Sequence, residues 1–186
     1  MLAIDLPPQP TLITERLILR PLRESDATAV AAGAGDHRVA RYLIQVPSPY
    51  PIALARSWVR HRSEWWDLGR GVTLAIAART DPSTLLGTAS LRRYARDRRA
   101  ELGYWLIASA WGHGYATEAT RAIVDYGFRA FNLARIYALV LAGNTTSERV
   151  LDKLGMLREG VQRQHVKKGR KLHDVTLYGV LRDDWR

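Results

Sequence analysis

Residues Leu102–Glu118, LGYWLIASAWGHGYATE, decide how this chain is read. Ala100 to Ile107 is a β-like run, and it leads into an uncharged loop holding Gly112 and Gly114. From Ala116 to Phe131 the residues Ala119, Ile123, Gly127 and Ala130 return at helical spacing and share one face. Strand, glycine loop and helix in that order make an anion site. The first N–H groups of a helix have no partner inside it, the positive end of its dipole faces the same point, and glycine lets the backbone turn sharply and come close to a ligand. Spacing removes two nucleotide loops. No glycine here opens the pattern G-x-x-x-x-G-K followed by Ser or Thr, and Thr117 stands where the third glycine of G-x-G-x-x-G belongs. A glycine-rich connection of no chemical use is the competing account.

Working outward, Thr11 to Pro21 alternates as a half-buried strand with Leu17 and Leu19 on one face, after a lead-in broken by Pro7, Pro8 and Pro10. Ser25 and Asp26 cap a short helix running to Ala34, and Ile52 to Leu68 carries a helical stripe through Leu54, Trp58, Trp65 and Leu68. Gly71 to Arg79 and Thr84 to Tyr94 form an antiparallel hairpin across Asp81, Pro82 and Ser83. Beyond the central helix, Arg135 to Ala142 is a buried strand and Thr145 to Leu154 a helix stopped by Gly155. Met156 to Val166 and Leu172 to Leu181 close the chain as a second hairpin. The order is β, α, α, β, β, β, α, β, α, β, β, with no linker or repeat. It predicts an α/β (α+β) fold, a mixed sheet with helices on both faces, in one domain over residues 1–186.

Composition narrows the chemistry. With 186 residues, 47% hydrophobic and 25% charged, the chain has enough apolar residues for one core, and its lack of cysteine excludes disulfides, Cys-ligated metals and thiol nucleophiles. The opening MLAIDLPPQP has Asp5 and prolines where a leader needs a basic patch and an apolar run, so a cytoplasmic protein with no membrane partner is expected. The 28 basic and 18 acidic residues leave a net charge of +10. That surplus attracts polyanions, a ribosome surface or a phosphorylated cofactor among them. Only four of the bases are lysine (Lys153, Lys167, Lys168, Lys171), so part of the surplus reflects an Arg- and Ala-rich coding bias. His37, His61, His113, His165 and His173 lack metal-ligand spacing, and no metal is expected. The basic clusters Arg92 to Arg99 and Lys167 to Lys171 are read as solvated hairpin turns, with a docking surface as the sharper alternative.

The phrases GYWLIASAWGHGYATEA and GNTTSERVLDKLGM, with TERLILRPLRESDA near the start and HDVTLYGVLRDDW at the end, resemble the GNAT acetyltransferases, in particular the RimJ/RimL-like branch that acetylates N-terminal residues of ribosomal proteins. The resemblance spans nearly the whole chain. It implies a mostly antiparallel sheet with a central, splayed parallel pair, here Leu102 to Ile107 and Arg135 to Leu141. It also implies acetyl-coenzyme A as cofactor, with its diphosphate on backbone N–H groups of Gly112, His113, Gly114, Tyr115, Ala116 and Thr117. Asn144 would hydrogen-bond the pantetheine amide. One departure is Ser109, where the family pattern has Gln or Arg; the backbone cradle needs only the glycines and the helix start.

Acetyl transfer to an amine needs a neutral amine, a donor for the carbonyl oxygen as it gains charge, and a proton for the departing thiolate. Glu101 is the candidate base, with an exposed strand glutamate paired to Arg98, Arg99 or another base as the structural alternative. The N–H of Leu106 or Ile107 is the candidate oxyanion donor. Ser147 is the candidate proton donor and Tyr115 its rival. Thr145 and Glu148 fit a capping box that accounts for the start of that helix without chemistry. The resemblance implies a protein N-terminal amine as acceptor, possible homodimerisation, and nucleic acid only through proximity to a ribosome. A small-molecule amine (polyamine, aminoglycoside or amino acid) and a noncatalytic RNA- or ribosome-binding module are the alternatives. The acceptor pocket is expected between the Ser25–Leu68 region and the last hairpin.

Overall fold

The computed structural model describes residues 7–186; the opening residues 1–6, which carry part of the leader reading, lie outside them. Its strands are β1 (Leu12–Ile13), β2 (Leu17–Pro21), β3 (Gly71–Ala78), β4 (Gly87–Tyr94), β5 (Arg99–Leu106), β6 (Arg135–Leu141), β7 (Leu157–Lys168) and β8 (Lys171–Leu181). They form one sheet in the order β1-β2-β3-β4-β5-β6-β8-β7. All neighbours are antiparallel except β5 and β6. The helices are α1 (Ala27–Gly35), α2 (His37–Ala40), α3 (Ile52–Asp67), α4 (Tyr115–Ala130) and α5 (Thr145–Lys153).

Strand alternation sorts the core into two layers. Val72, Leu74 and Ile76 of β3, Leu91 of β4 and Leu102 and Leu106 of β5 pack with Ile123, Val124 and Phe128 of α4 and Leu151 of α5. On the opposite face Ala75 packs with Val30 of α1 and Ala55 and Val59 of α3. At Gly33, α1 lies so close to the sheet that a Cβ would stand 2.6 Å from the Ile107 side chain.

Three local readings are corrected. The first strand is broken: the Thr14 N–H donates to the Leu17 carbonyl (3.0 Å) and the Leu17 N–H to the Thr14 hydroxyl (3.0 Å), turning the chain so that Leu12 pairs with Leu19. Asp26 does not cap α1. It is the buried last residue of Glu24–Asp26, a 3-10 turn, and holds Arg20 through two bonds of 2.8 and 2.9 Å. The one-turn α2, too short to show a period, follows Asp36, whose carboxylate accepts the Arg38 N–H at 2.9 Å.

Candidate active site

The parallel pair holds together only where Arg99, Ala100 and Glu101 face Arg135, Ile136 and Tyr137; beyond Glu101 the strands part. Backbone accounting shows what the parting exposes. The Ile107 N–H donates to the Leu86 carbonyl (2.8 Å), continuing the β4–β5 register, so alternation in an antiparallel ladder turns the N–H groups of Tyr104 and Leu106 the other way, into the gap. The Leu106 carbonyl is taken by the Trp111 indole N–H at 2.9 Å. Likewise the Ala142 N–H bonds β8 at Asp174, which leaves Leu139 of β6 facing the gap. A cavity of about 300 Å³ fills the opening, lined by Glu101, Tyr104, Leu106, Leu139, Ser147 and, from the loop after α2, Tyr42. Half-buried amides without partners call for a ligand that carries its own amides.

At the outer end of the gap, Gly112 and Gly114 adopt φ of +81° and +79°, the left-handed region that glycine occupies without steric cost. Gly114 is the residue before α4. Among the described residues, no backbone or side-chain acceptor takes the N–H groups of residues 112 to 117; the first bonded one is Glu118, to the Gly114 carbonyl. Six amides are thus open at one helix start.

A long-range clamp sets the loop. Arg16 donates from Nη1 to the His113 carbonyl (2.8 Å) and from Nε to Glu118 Oε2 (2.8 Å), and its guanidinium lies 4.9 Å from the Tyr115 ring. The Arg16 N–H and the Thr14 hydroxyl donate to the other Glu118 oxygen at 2.8 and 2.6 Å. An acid in the first turn would repel an anion at this helix start, and Arg16 cancels that charge. Burial pushes the Glu118 carboxyl up, but the bonds from Thr14 and Arg16 outweigh it and hold it below its ordinary value. Tyr115, stacked between His113 and Arg16, belongs to this packing.

Glu101 stands at the vertex of the gap, on the sheet face that carries α1 and α3. The alternative, a pair with Arg98 or Arg99, is not formed: Arg99 binds Asp97 (3.2 Å) and Arg98 binds Asn132. Instead the Tyr94 and Tyr137 hydroxyls donate to Glu101 Oε2 at 3.3 and 3.4 Å, and no group among the described residues bonds Oε1. Burial, the Tyr94 hydrogen bond and the charge of Glu101 all push the Tyr137 phenol up, so it stays a donor.

On the other face the Tyr104 phenol meets the Ser147 hydroxyl at 2.7 Å and donates to the Ser147 carbonyl at 3.2 Å. Burial pushes this phenol well above its usual value. The capping box is corrected here. Asn144 caps α5, its Oδ1 accepting the Ser147 N–H at 3.2 Å, whereas Glu148 accepts from Thr176. That bond occupies one lone pair of Asn144 Oδ1, and its amide NH₂ donates to no group among the described residues.

The acetyltransferase (GNAT) domain family matches residues 16–157. The chain belongs to the GNAT acetyltransferase family. It is 35% identical to the uncharacterized N-acetyltransferase YoaA of Bacillus subtilis (strain 168), over 93% of this chain and 97% of that one. A second N-acetyltransferase, p20 of Bacillus licheniformis, is 31% identical over 94% of this chain and 98% of the relative. Among solved structures, RimL, the ribosomal L7/L12 alpha-N-protein acetyltransferase in complex with coenzyme A, superposes with a TM-score of 0.82. At 20% identity over 94% of this chain and 99% of that one, it shows the shared fold. As a GNAT enzyme, this chain is an acetyl-coenzyme A dependent N-acetyltransferase.

Two expectations change with the geometry. Ile107 cannot offer its N–H, which Leu86 holds, so of these two candidates only Leu106 keeps a donor in the gap. The basic clusters are not simply solvated turns: Lys168 donates to the Leu43 and Val46 carbonyls (2.6 and 3.3 Å), tying the last hairpin to the loop after α2. Burial lowers the pKa of this lysine. Tyr104, Arg16 and Glu118 escaped the sequence reading, since their partners lie far along the chain. No described helix is long and apolar enough to cross a membrane.

Proposed function

We propose that this GNAT enzyme acetylates the N-terminal amine of a protein, with a ribosomal protein as its target. The observation that carries the reading is Glu101: a carboxylate without a cationic partner, fixed by two phenols through Oε2 and open at Oε1, at the vertex of the gap. The likeness in fold to RimL and the net charge of +10, suited to a polyanionic particle, support the ribosomal target.

When bound, acetyl-coenzyme A supplies an activated acetyl thioester. The open amides of residues 112 to 117 suit its diphosphate, and the inward N–H groups of Tyr104 and Leu106, with Leu139 opposite, suit its amide-bearing arm. Glu101 Oε1 takes the proton of the incoming ammonium. The Leu106 N–H is a fixed donor for the carbonyl oxygen as it gains charge. Ser147 holds a proton at Oγ, oriented by Tyr104, for the leaving sulfur. A serine hydroxyl is a weak acid, so orientation contributes more than acidity. Ser147→Ala is expected to lower kcat by about a hundredfold, the lower range for a positioned proton donor, with coenzyme A affinity changed by no more than about threefold. Steady-state kinetics beside calorimetry separate the two, and an unchanged kcat removes Ser147 from the mechanism.

Incubation with acetyl-coenzyme A and a panel of acceptors tests the reading by mass spectrometry. The panel holds ribosomal-protein N-terminal peptides, the same peptides with blocked N-termini, spermidine, an aminoglycoside and free amino acids. Acetylation at the peptide α-amine, lost on blocking and in Glu101→Gln, is the expected result; acetylation of the small amines alone contradicts it.

A further inference from the structure

Beside Glu101, on the same sheet face, guanidinium groups lie against aromatic rings from three elements. Arg62 of α3 is 4.1 Å from the Trp65 ring centroid and 5.3 Å from that of Trp58. Arg92 of β4 lies 5.5 Å from Trp65 and 5.3 Å from Tyr94, and Arg99 lies 4.8 Å from Tyr94 and 5.6 Å from Tyr137. Register explains the grouping: Arg92 faces Glu101 and Tyr94 faces Arg99 across β4–β5, so all four side chains share one face with Tyr137.

Aromatic faces hold cations in place without cancelling their charge. Arg99 has Asp97, but among the described residues no carboxylate lies within 4 Å of Arg62 or Arg92. Both stack on the same Trp65 ring. Burial and then the charge of Arg92 pull the Arg62 pKa down, with the Tyr50 phenol and then Glu101 acting the other way. Two cations held together with no salt-bridge partner, beside the proton-accepting carboxylate, leave demand for further negative charge.

We infer that Arg62 and Arg92 form an anion subsite for the acceptor, so that the amine acetylated here belongs to a molecule that also carries a carboxylate. The inference rests on the acetyl-transfer reading and narrows it. The carboxylate has two sources, the α-carboxylate of a free amino acid and an Asp or Glu side chain in the first residues of a peptide. A residue of extended chain spans about 3.3–3.6 Å, so an acid one or two positions from the amine spans the distance between neighbouring side chains of this face. A polyamine brings a second ammonium toward two guanidinium groups and is disfavoured.

Product analogues test this without turnover. Acetyl-Ala-Glu-amide, acetyl-Ala-Gln-amide, acetyl-Ala-Lys-amide and acetylalanine with a free or amidated carboxyl group are titrated by calorimetry into the protein saturated with coenzyme A. The side-chain acid is expected to bind about tenfold more tightly than its glutamine counterpart, and the lysine peptide more weakly still. In Arg92→Gln, an exposed position, the preference should shrink to about threefold or less, with coenzyme A affinity and thermal midpoint unchanged. Arg62→Gln should act the same way, with tryptophan fluorescence reporting the lost stacking. A preference for free over amidated acetylalanine assigns the subsite to the α-carboxylate instead. Equal binding of all analogues, no binding of any acid at millimolar concentration, a lysine preference, or a preference that survives both substitutions overturns the subsite. If coenzyme A itself does not bind, the acetyl-transfer reading fails; if it binds and charge preference is absent, only the subsite fails.

Discussion

Gly112→Val should abolish useful cofactor affinity while leaving the fold in place. A Cβ at residue 112 would meet no protein atom within 4 Å, so the substitution causes no clash, but its φ of +81° lies where β-branched residues are strained. Relief requires the loop to rotate, which turns the open amides away from one another. The branched side chain also enters the space above them. Each charge-assisted hydrogen bond is worth about 1.5–3 kcal/mol, so losing two corresponds to a fall in affinity of at least a hundredfold. Calorimetry with coenzyme A measures the loss, and an unchanged far-ultraviolet circular dichroism spectrum with cooperative unfolding shows that the fold persists. Affinity within about threefold of the parent would show that the amides of this loop do not hold the cofactor.

Asp26→Ala should destabilise the protein by about 3–5 kcal/mol, a large share of the roughly 5–15 kcal/mol typical of a domain. Arg20 and Asp26 are 4% and 5% exposed and form a two-bond pair, and Asp26 also accepts the Arg23 N–H at 2.7 Å. Without the carboxylate, Arg20 keeps only the Pro82 and Pro21 carbonyls and remains a buried cation with no counter-charge. Replacing both partners, as in Arg20→Met with Asp26→Leu, should recover most of the loss, because the cost lies in the orphaned charge. The pair also sets a pH dependence. Burial pushes the Asp26 carboxyl up, yet the Arg20 and Arg23 bonds prevail and hold it below its ordinary value. Its contribution is therefore complete above the ordinary carboxylate range and lost as pH falls through the lower folded-state value. Chemical denaturation at neutral and acidic pH should show the parent and Asp26→Ala converging in acid; a constant gap contradicts the assignment.

Local patterns carried most of the architecture. The α4 period, the hairpin turns and the glycine loop depend on neighbours within a few residues, and these elements stand within a residue or two of where the sequence puts them, apart from β4, whose regular pairing begins at Gly87, three residues after Thr84. The failures share one cause, a partner far along the chain. Asp26 reads as a helix cap until Arg20 takes its carboxylate, and Glu118 reads as an ordinary first-turn acid until Arg16, 102 residues earlier, closes on it. The arginines of Arg92–Arg99 read as solvated because Trp65 and Tyr137 come from α3 and β6. At α5, Asn144 and Thr145 both satisfy a capping pattern, and only geometry shows that Asn144 takes the role. The residues TERLILRPLRESDA, a resemblance without a mechanism at the level of sequence, supply Thr14 and Arg16 to the glycine loop and Arg20 and Asp26 to the support of α1.

The central claim is that six open amides at the start of α4 and the parted β5–β6 pair together hold acetyl-coenzyme A. Isothermal calorimetry of acetyl-coenzyme A into the parent protein tests it most directly. Saturable, one-to-one binding in the micromolar range, lost in Gly112→Val, is the predicted result; no heat of binding at millimolar cofactor would contradict it.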